Sequence, residues 1–239
     1  MHGIELVAFD MAGTTVRDDG QVPAAFTAAL TEFGMPVGPD TIRAIRGASK
    51  RDAIRRLLPA GAESDSLAER AYASFRAHLA RLYPDTARAV PGAQDVFAWL
   101  RGRGIRVALN TGFDRDTTRM LLAALGWDAG VVDAIVCGDE VPRGRPAPYM
   151  IFRCMEATGT VSVHRVASVG DTTLDLRAGW NAGVRFNVGV LSGAHDRAAL
   201  AGEPHTHLLA SVADLPALLT AAATGPAADG DEGIRHVNG

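Results

Sequence analysis

Cysteine is scarce in this chain. Cys137 and Cys154 are the only two in 239 residues, and neither lies in a CxxC or comparable ligand spacing, so neither a disulfide framework nor a structural zinc site is expected. Both read as small buried hydrophobes. Long apolar runs are also missing: no stretch is long enough to span a bilayer, and the start, MHGIELVAFD, has no basic segment followed by an apolar one. A cytoplasmic protein without a membrane partner is the expectation. Nor is there an excess of charge of one sign. Lys and Arg number 24 against 27 Asp and Glu, a net charge of −3, which removes the electrostatic case for nucleic acid and confines any anion site to a local cluster. No internal repeat is found. What remains is 47% hydrophobic residues, enough for one large domain or a domain with an insert.

The first element is IELVA, an apolar run that reads as a buried strand, with Asp10, in the FDMAGTT that follows, where the strand gives way to a glycine-bearing loop. From residue 21 the pattern is helical only: VPAAFTAALTEFG, PDTIRAIRG, SKRDAIRRLL and a stretch from about Ser66 to Tyr83 place apolar residues at helical spacing. From Val90 strands alternate with helices: PGAQDVFAWLRGRG, IRVALN, RDTTRMLLAALG, VVDAIVC, APYMIFRCMEATG and RVASVG, then DLRAGWNAG, VRFNVGV, THLLAS and ADLPALLTAA. Such alternation predicts an α/β fold, a Rossmann-like parallel sheet with ligand groups at the carboxyl ends of its strands. The predicted organisation is a catalytic core of residues 1–20 plus 90–222, a helical cap inserted at 21–89, and a polar tail, 223–239, expected to be disordered.

Four loops near strand ends carry, in order, Asp10 in FDMAGTT, Thr111 in LNTGF, Arg145 in GRPAPYM, and Asp171 with Asp175 in VGDTTLD. Each type has a task in phosphoryl transfer, which needs an in-line nucleophile, a divalent cation, fixed donors for the phosphoryl oxygens and a permanent positive charge. Asp10 is the candidate nucleophile, through an aspartyl phosphate. Asp171 is placed to share a Mg2+ with it, because this hard ion takes carboxylate, carbonyl and water oxygens. Thr111 and the amides of Gly112 or Phe113 would hold oxygens, and Arg145 supplies the cation. Singly, each residue has a plainer explanation: a strand-end Asp is commonly a cap or turn residue, and Arg145 beside Pro146 a solvated loop charge. Their joint order favours catalysis.

DMAGTT, LNTGF, GRPAP and GDTTLD resemble, in order, the four motifs of the haloacid dehalogenase superfamily, over about residues 4 to 220. The resemblance implies a Rossmann-like core, an aspartate nucleophile, and Mg2+ among Asp10, Ala12, Asp171 and Asp175, with Ala12 and Gly13 beside the substrate. Most phosphatases of that superfamily carry Asp at the place of Ala12 and Lys at that of Arg145. Both departures resemble the phosphonoacetaldehyde hydrolase (phosphonatase) branch, whose motifs read D-x-A-G-T-T and G-R-P.

A phosphate ester expels an alkoxide, which an acid must protonate, and Ala12 has no proton to give. A phosphonate expels carbon instead. A lysine condensed with a neighbouring carbonyl accepts the departing electrons as an enamine, so the acid becomes dispensable and the amine essential. Lys50, in RGASKRDAIRRLL, is the candidate: Gly47 to Lys50 reproduces the G-x-x-K that the resemblance places in the cap. Ser49 and Asp52 read as an N-cap with a shortened capping box, which puts Lys50 in a first helical turn. There the helix dipole, with Arg46, Arg51 and Arg43, should lower its pKa. The sequence departs from that branch at Ala53, where the branch has histidine, and at Arg46, where it has methionine. Arg46 and Arg51 are therefore candidate substrate contacts for an extra anionic group. The expected function is Mg-dependent hydrolysis of the carbon–phosphorus bond of phosphonoacetaldehyde or a related phosphonate. The alternatives are a phosphatase for a small phosphorylated metabolite, in which Lys50 merely binds, and a non-catalytic binding protein. The expected partner is a small phosphonate or phosphate, and a homodimer is compatible with the sequence.

Overall fold

A computed structural model describes residues 3–58, 64–127 and 130–224; the expectation of a disordered tail lies, from residue 225 on, outside the described residues. Strand β1 (Leu6–Phe9) leads into four helices, α1 (Gln21–Glu32), α2 (Pro39–Ala44), α3 (Lys50–Leu57) and α4 (Ser64–Thr86). Alternation follows: α5 (Ala93–Arg101), β2 (Arg106–Thr111), α6 (Arg115–Ala124), β3 (Ala134–Cys137), α7 (Tyr149–Thr158), β4 (Val166–Gly170), α8 (Thr173–Ala182), β5 (Phe186–Val190), α9 (Arg197–Ala201), β6 (His207–Leu209) and α10 (Leu215–Thr224). The strands form one parallel sheet in the order β3-β2-β1-β4-β5-β6, the predicted α/β fold.

The sequence of β1, LVAF, is apolar throughout because both faces are covered. Val7 and Phe9 pack with Phe97, Val107 and Leu109, whereas Leu6 and Ala8 pack with Ala108, Met150 and Cys154, the period-two alternation of a strand. Burying a side chain such as Phe9 contributes roughly 1.5–3 kcal/mol. In the helical insert, α1 and α4 meet through Phe26 and Phe75, ring centroids 4.5 Å apart. These rings belong to the same apolar cluster as Phe9 and Val107. Cys137 and Cys154 are free and buried, and burial pushes their thiols up to about 11 and about 12. No helix of the described residues is long and apolar enough to cross a membrane.

Three local features differ from the sequence reading. Helix α4 runs through Pro84 to Thr86 instead of stopping at Tyr83. The buried face Phe75, Leu79, Tyr83 and the bond from Ala87 N–H to the Tyr83 carbonyl, 2.9 Å, carry the last turn past the proline. The short α9, capped by Asp196, which accepts from Ala199 N–H at 2.9 Å, is too brief to show a period. Ser49 occupies the N-cap position of α3 but its side chain caps nothing. Instead, the Lys50 N–H bonds the Gly112 carbonyl at 3.0 Å, so the sheet's own loop takes up the first donor of the helix.

Candidate active site

Phe9 pairs with Leu109 of β2 and with Val169 of β4. Asp10, Asn110 and Gly170 therefore end level with one another, and Thr111 and Asp171 stand one residue beyond. Between β1 and β4 the strand order also reverses direction, which is where open α/β sheets leave a crevice for ligands.

Asp10, Asp171 and Asp175 are all buried there, with carboxylate oxygens within 4.8 Å of one another. Arg145 threads between them. Its Nη2 lies 2.8 Å from Asp10 Oδ1 and its Nε 2.8 Å from Asp175 Oδ1, while further N–H groups donate to the carbonyls of Asn110 (2.9 Å) and Gly47 (3.2 Å). Burial works against this cation, but Asp175 and Asp10 outweigh it and hold the guanidinium above its ordinary value. Asp171 accepts from Thr14 Oγ1 at 2.9 Å and from Ala194 N–H at 2.7 Å. Asp175 accepts from the N–H and Oγ1 of Thr172. Burial and the facing Asp10 push Asp171 up to about 7, and burial pushes Asp175 up to about 6 against the pull of Arg145. Three carboxylates and one guanidinium leave two negative charges, and the donors are hard oxygens, so the cluster fits a divalent cation such as Mg2+. Ala12 has only its carbonyl to offer, and no backbone N–H of the described residues bonds it. Asp175, with both oxygens engaged, is suited to holding Arg145 and the loop.

Thr111 closes β2, buried, with its Oγ1 accepting from Phe113 N–H at 3.2 Å. The insert descends onto this loop through residues 47–50. Gly47 has φ +83°, and a Cβ there would lie 2.2 Å from Thr172 Oγ1; a Cβ on Gly112 would lie 2.3 Å from the Ala48 carbonyl oxygen. Only glycine at these two places lets the insert reach the sheet so closely. The result is that Lys50 is 5% exposed. Its Nζ donates to the Ala48 carbonyl at 3.3 Å and lies 5.1 Å from the centre of the Phe113 ring. Burial first, then Arg46, lowers its pKa from 10.5 to about 8, with Asp10 and Asp18 opposing.

The profile of the haloacid dehalogenase-like hydrolases matches residues 4–183. The chain belongs to this family of hydrolases. Similar curated proteins are named phosphonoacetaldehyde hydrolase: that of Bacillus cereus is 30% identical over 210 residues, covering 81% of this chain and 78% of the relative, and that of Parabacteroides distasonis is 32% identical over 212 residues, covering 82% and 79%. A phosphonoacetaldehyde hydrolase-like protein of Oleispira antarctica superposes with a TM-score of 0.82 at 25% identity, covering 92% of each chain. A hydrolase of Pseudomonas syringae gives 0.82 at 24% identity, covering 90% and 98%.

In this haloacid dehalogenase-like hydrolase, the residues expected from the sequence divide into two sets. Asp10, Ala12, Gly13, Thr111, Gly112, Phe113, Arg145, Asp171, Asp175, Lys50 and Arg46 gather at and above the carboxyl ends of β1, β2 and β4. Arg51 and Arg43 do not, which corrects the expected cause of the lysine's low pKa: Arg51 is half exposed, 3.4 Å from Glu69 and over the Tyr72 ring, and Arg43 pairs with Asp40 at the surface. The sequence reading did not place Asp18, Asn110 or Thr14 at the site. Tyr83 also belongs to it, buried, its phenol pushed well up by burial and by Asp18 and Asp10. A lysine at the first position of a buried i, i+3, i+4 set (Lys50, Ala53, Ile54) was a readable sign of its burial. Lys50 is also the only lysine of the chain, beside 23 arginines. Replacing Arg145 by methionine strands Asp10 and Asp175 as buried charges, so a loss of about 3–5 kcal/mol of stability is expected in urea unfolding without Mg2+, reduced when Mg2+ is added.

Proposed function

We propose that this hydrolase cleaves the carbon–phosphorus bond of a small phosphonate carrying a carbonyl beta to phosphorus, phosphonoacetaldehyde or a close relative. The observation that carries this reading is one exchange of groups: a methyl at Ala12, where an ester hydrolase needs an acid, and a buried, low-pKa amine at Lys50 close enough to Asp10 to feel its charge. The relatives named phosphonoacetaldehyde hydrolase support it.

In the proposed course, neutral Lys50 condenses with the carbonyl and water leaves, giving an imine. The imine nitrogen takes a proton, an oxygen of Asp10 attacks phosphorus in line, and the electrons of the carbon–phosphorus bond pass into the protonated imine to give a neutral enamine. Thr111 and the amides of Gly112 and Phe113 are placed for phosphoryl oxygens, and Arg145 keeps Asp10 ionised and oriented. Mg2+ held by Asp10, Asp171 and the Ala12 carbonyl would supply charge neutralisation at those oxygens. Protonation of the enamine carbon and hydrolysis of the imine free Lys50, and water hydrolyses the aspartyl phosphate. The 47–50 loop, seated on Gly112, keeps bulk water from the enamine.

The test uses the single lysine. Borohydride reduction with phosphonoacetaldehyde is expected to add one adduct per chain, mapped to Lys50 by mass spectrometry. An ordinary lysine is almost wholly charged at pH 7, but with a pKa of about 8 about a tenth of Lys50 is neutral there. The trapping rate should therefore climb about tenfold per pH unit below pH 8 and level off above it. A rate still climbing at pH 10, or no adduct beside brisk ester hydrolysis, would point to a phosphomonoester phosphatase instead.

A further inference from the structure

The carbon side of the chamber carries a group that an acetaldehyde fragment does not use. Arg46 is 8% exposed, and its charge bears on Lys50, Tyr83 and Asp171 alike, so the guanidinium lies near both the amine and the acidic cluster. Its Nη2 lies 2.6 Å from Asp18 Oδ2, yet the contact lacks hydrogen-bond alignment and Asp18 Oδ2 accepts no hydrogen bond. Asp18 Oδ1 is taken by Val22 N–H at 3.0 Å. No hydrogen bond links the guanidinium to any described residue, and its nitrogens are not among the fully buried unpartnered atoms, so its donors remain open to a ligand from the cavity side. Arg46 also lines a cavity of about 410 Å³ with Thr27, Ile42, Ala194 and Arg43, the last paired with Asp40, so there is room beside the guanidinium.

The charges on this wall do not cancel. Lys50, as amine cation or protonated imine, and Arg46 face one carboxylate, Asp18, leaving one positive charge. On the sheet side, Asp10, Asp171 and Asp175 balance Arg145 and a divalent cation. The surplus therefore sits on the Lys50 side of the site, with planar donors suited to a carboxylate.

Resting on the imine reading above, we infer that Arg46 selects a substrate carboxylate bonded to the carbonyl carbon, which makes the substrate class a 3-phosphono-2-oxo acid. Lys50 condenses with the C2 carbonyl and Arg46 takes the C1 carboxylate, while Asp18 orients the guanidinium from behind. Asp10 attacks phosphorus and the bond from C3 to phosphorus breaks, its electrons forming the C2–C3 enamine. C3 then takes a proton and water releases the 2-oxo acid. The sum is substrate plus water giving a 2-oxo acid and phosphate, with no redox partner.

The test compares kcat/KM for phosphate release from 3-phosphono-2-oxopropanoate and from phosphonoacetaldehyde, with borohydride trapping of both. The wild type is expected to favour the oxo acid by about 100-fold, and Arg46→Met to reduce that ratio by about 100-fold, chiefly through KM. Because Arg46→Met leaves Asp18 buried without its cation, the Asp18→Asn/Arg46→Met double variant is measured beside it and should show the same loss of preference. Trapping at Lys50 by the aldehyde with no preference for the oxo acid, or a ratio that neither variant moves, overturns the inference and leaves the imine reading standing. Neither compound trapped and neither cleaved overturns both.

Discussion

Replacing Lys50 by arginine is expected to lower carbon–phosphorus cleavage by at least about 10³-fold and to abolish borohydride trapping, because a guanidinium keeps the charge but cannot form the imine. An activated aryl phosphate, whose leaving group needs no electron sink, should still be hydrolysed through Asp10 at a rate closer to that of the wild type. Stability separates this from a folding defect. The lysine titrates lower in the fold than its ordinary 10.5, so between about pH 8 and 10.5 the unfolded chain binds more protons than the folded one. The penalty is fully present below pH 8 and disappears as pH rises toward 10.5. Removing the amine as Lys50→Met should therefore stabilise the protein at pH 7, by roughly 1–3 kcal/mol, and leave it as inactive on phosphonates as the arginine variant. Loss of cleavage with a gain in unfolding free energy is the expected signature of an amine kept for chemistry. A Lys50→Met protein that is both less stable and still cleaves phosphonates would remove the amine from the mechanism.

The rim of the site was legible because strand ends are local. Asp10, Thr111 and Asp171 each follow an apolar run, and the parallel register then brings them level without further information. Lys50 was legible from spacing, and its burial from the helical phase it shares with Ala53 and Ile54. The same phase turns Arg51, one residue on, toward solvent; treating the arginines around Lys50 as one electrostatic group overlooked it. Arg46 and Asp18 could not be paired from sequence, since they lie on either side of α1 and meet only when α2 and the 47–50 loop fold back over the β1 loop. Tyr83 had the same obscurity: it lies within the expected helix, but its place near Asp18 depends on how α4 packs against the loop after β1. Nor did the sequence show that the Gly112 carbonyl, and not Ser49, would serve the start of α3. That contact requires insert and sheet to close on each other through two glycines.

Restoring a carboxyl group at position 12 tests the central exchange from the other direction. In Ala12→Asp the new side chain emerges two residues from Asp10, at a partly buried position beside a cluster already carrying three carboxylates. Burial and like charge should raise its pKa, so that it is protonated near neutrality and able to donate. An alkyl phosphate, whose alkoxide leaves badly, should then be hydrolysed about 10²-fold faster than by the wild type. An aryl phosphate with a good leaving group should change little, because protonating it gains nothing. Carbon–phosphorus cleavage should not benefit either, since the departing electrons go to the Lys50 imine and an acid beside phosphorus cannot collect them. The measurement is the ratio of alkyl to aryl phosphate hydrolysis in the two proteins, with phosphonate cleavage alongside. An equal rise for both esters would mean that the substitution merely improved binding or Mg2+ retention, and no rise at all would mean that Ala12 is not the place from which this fold protonates a leaving group.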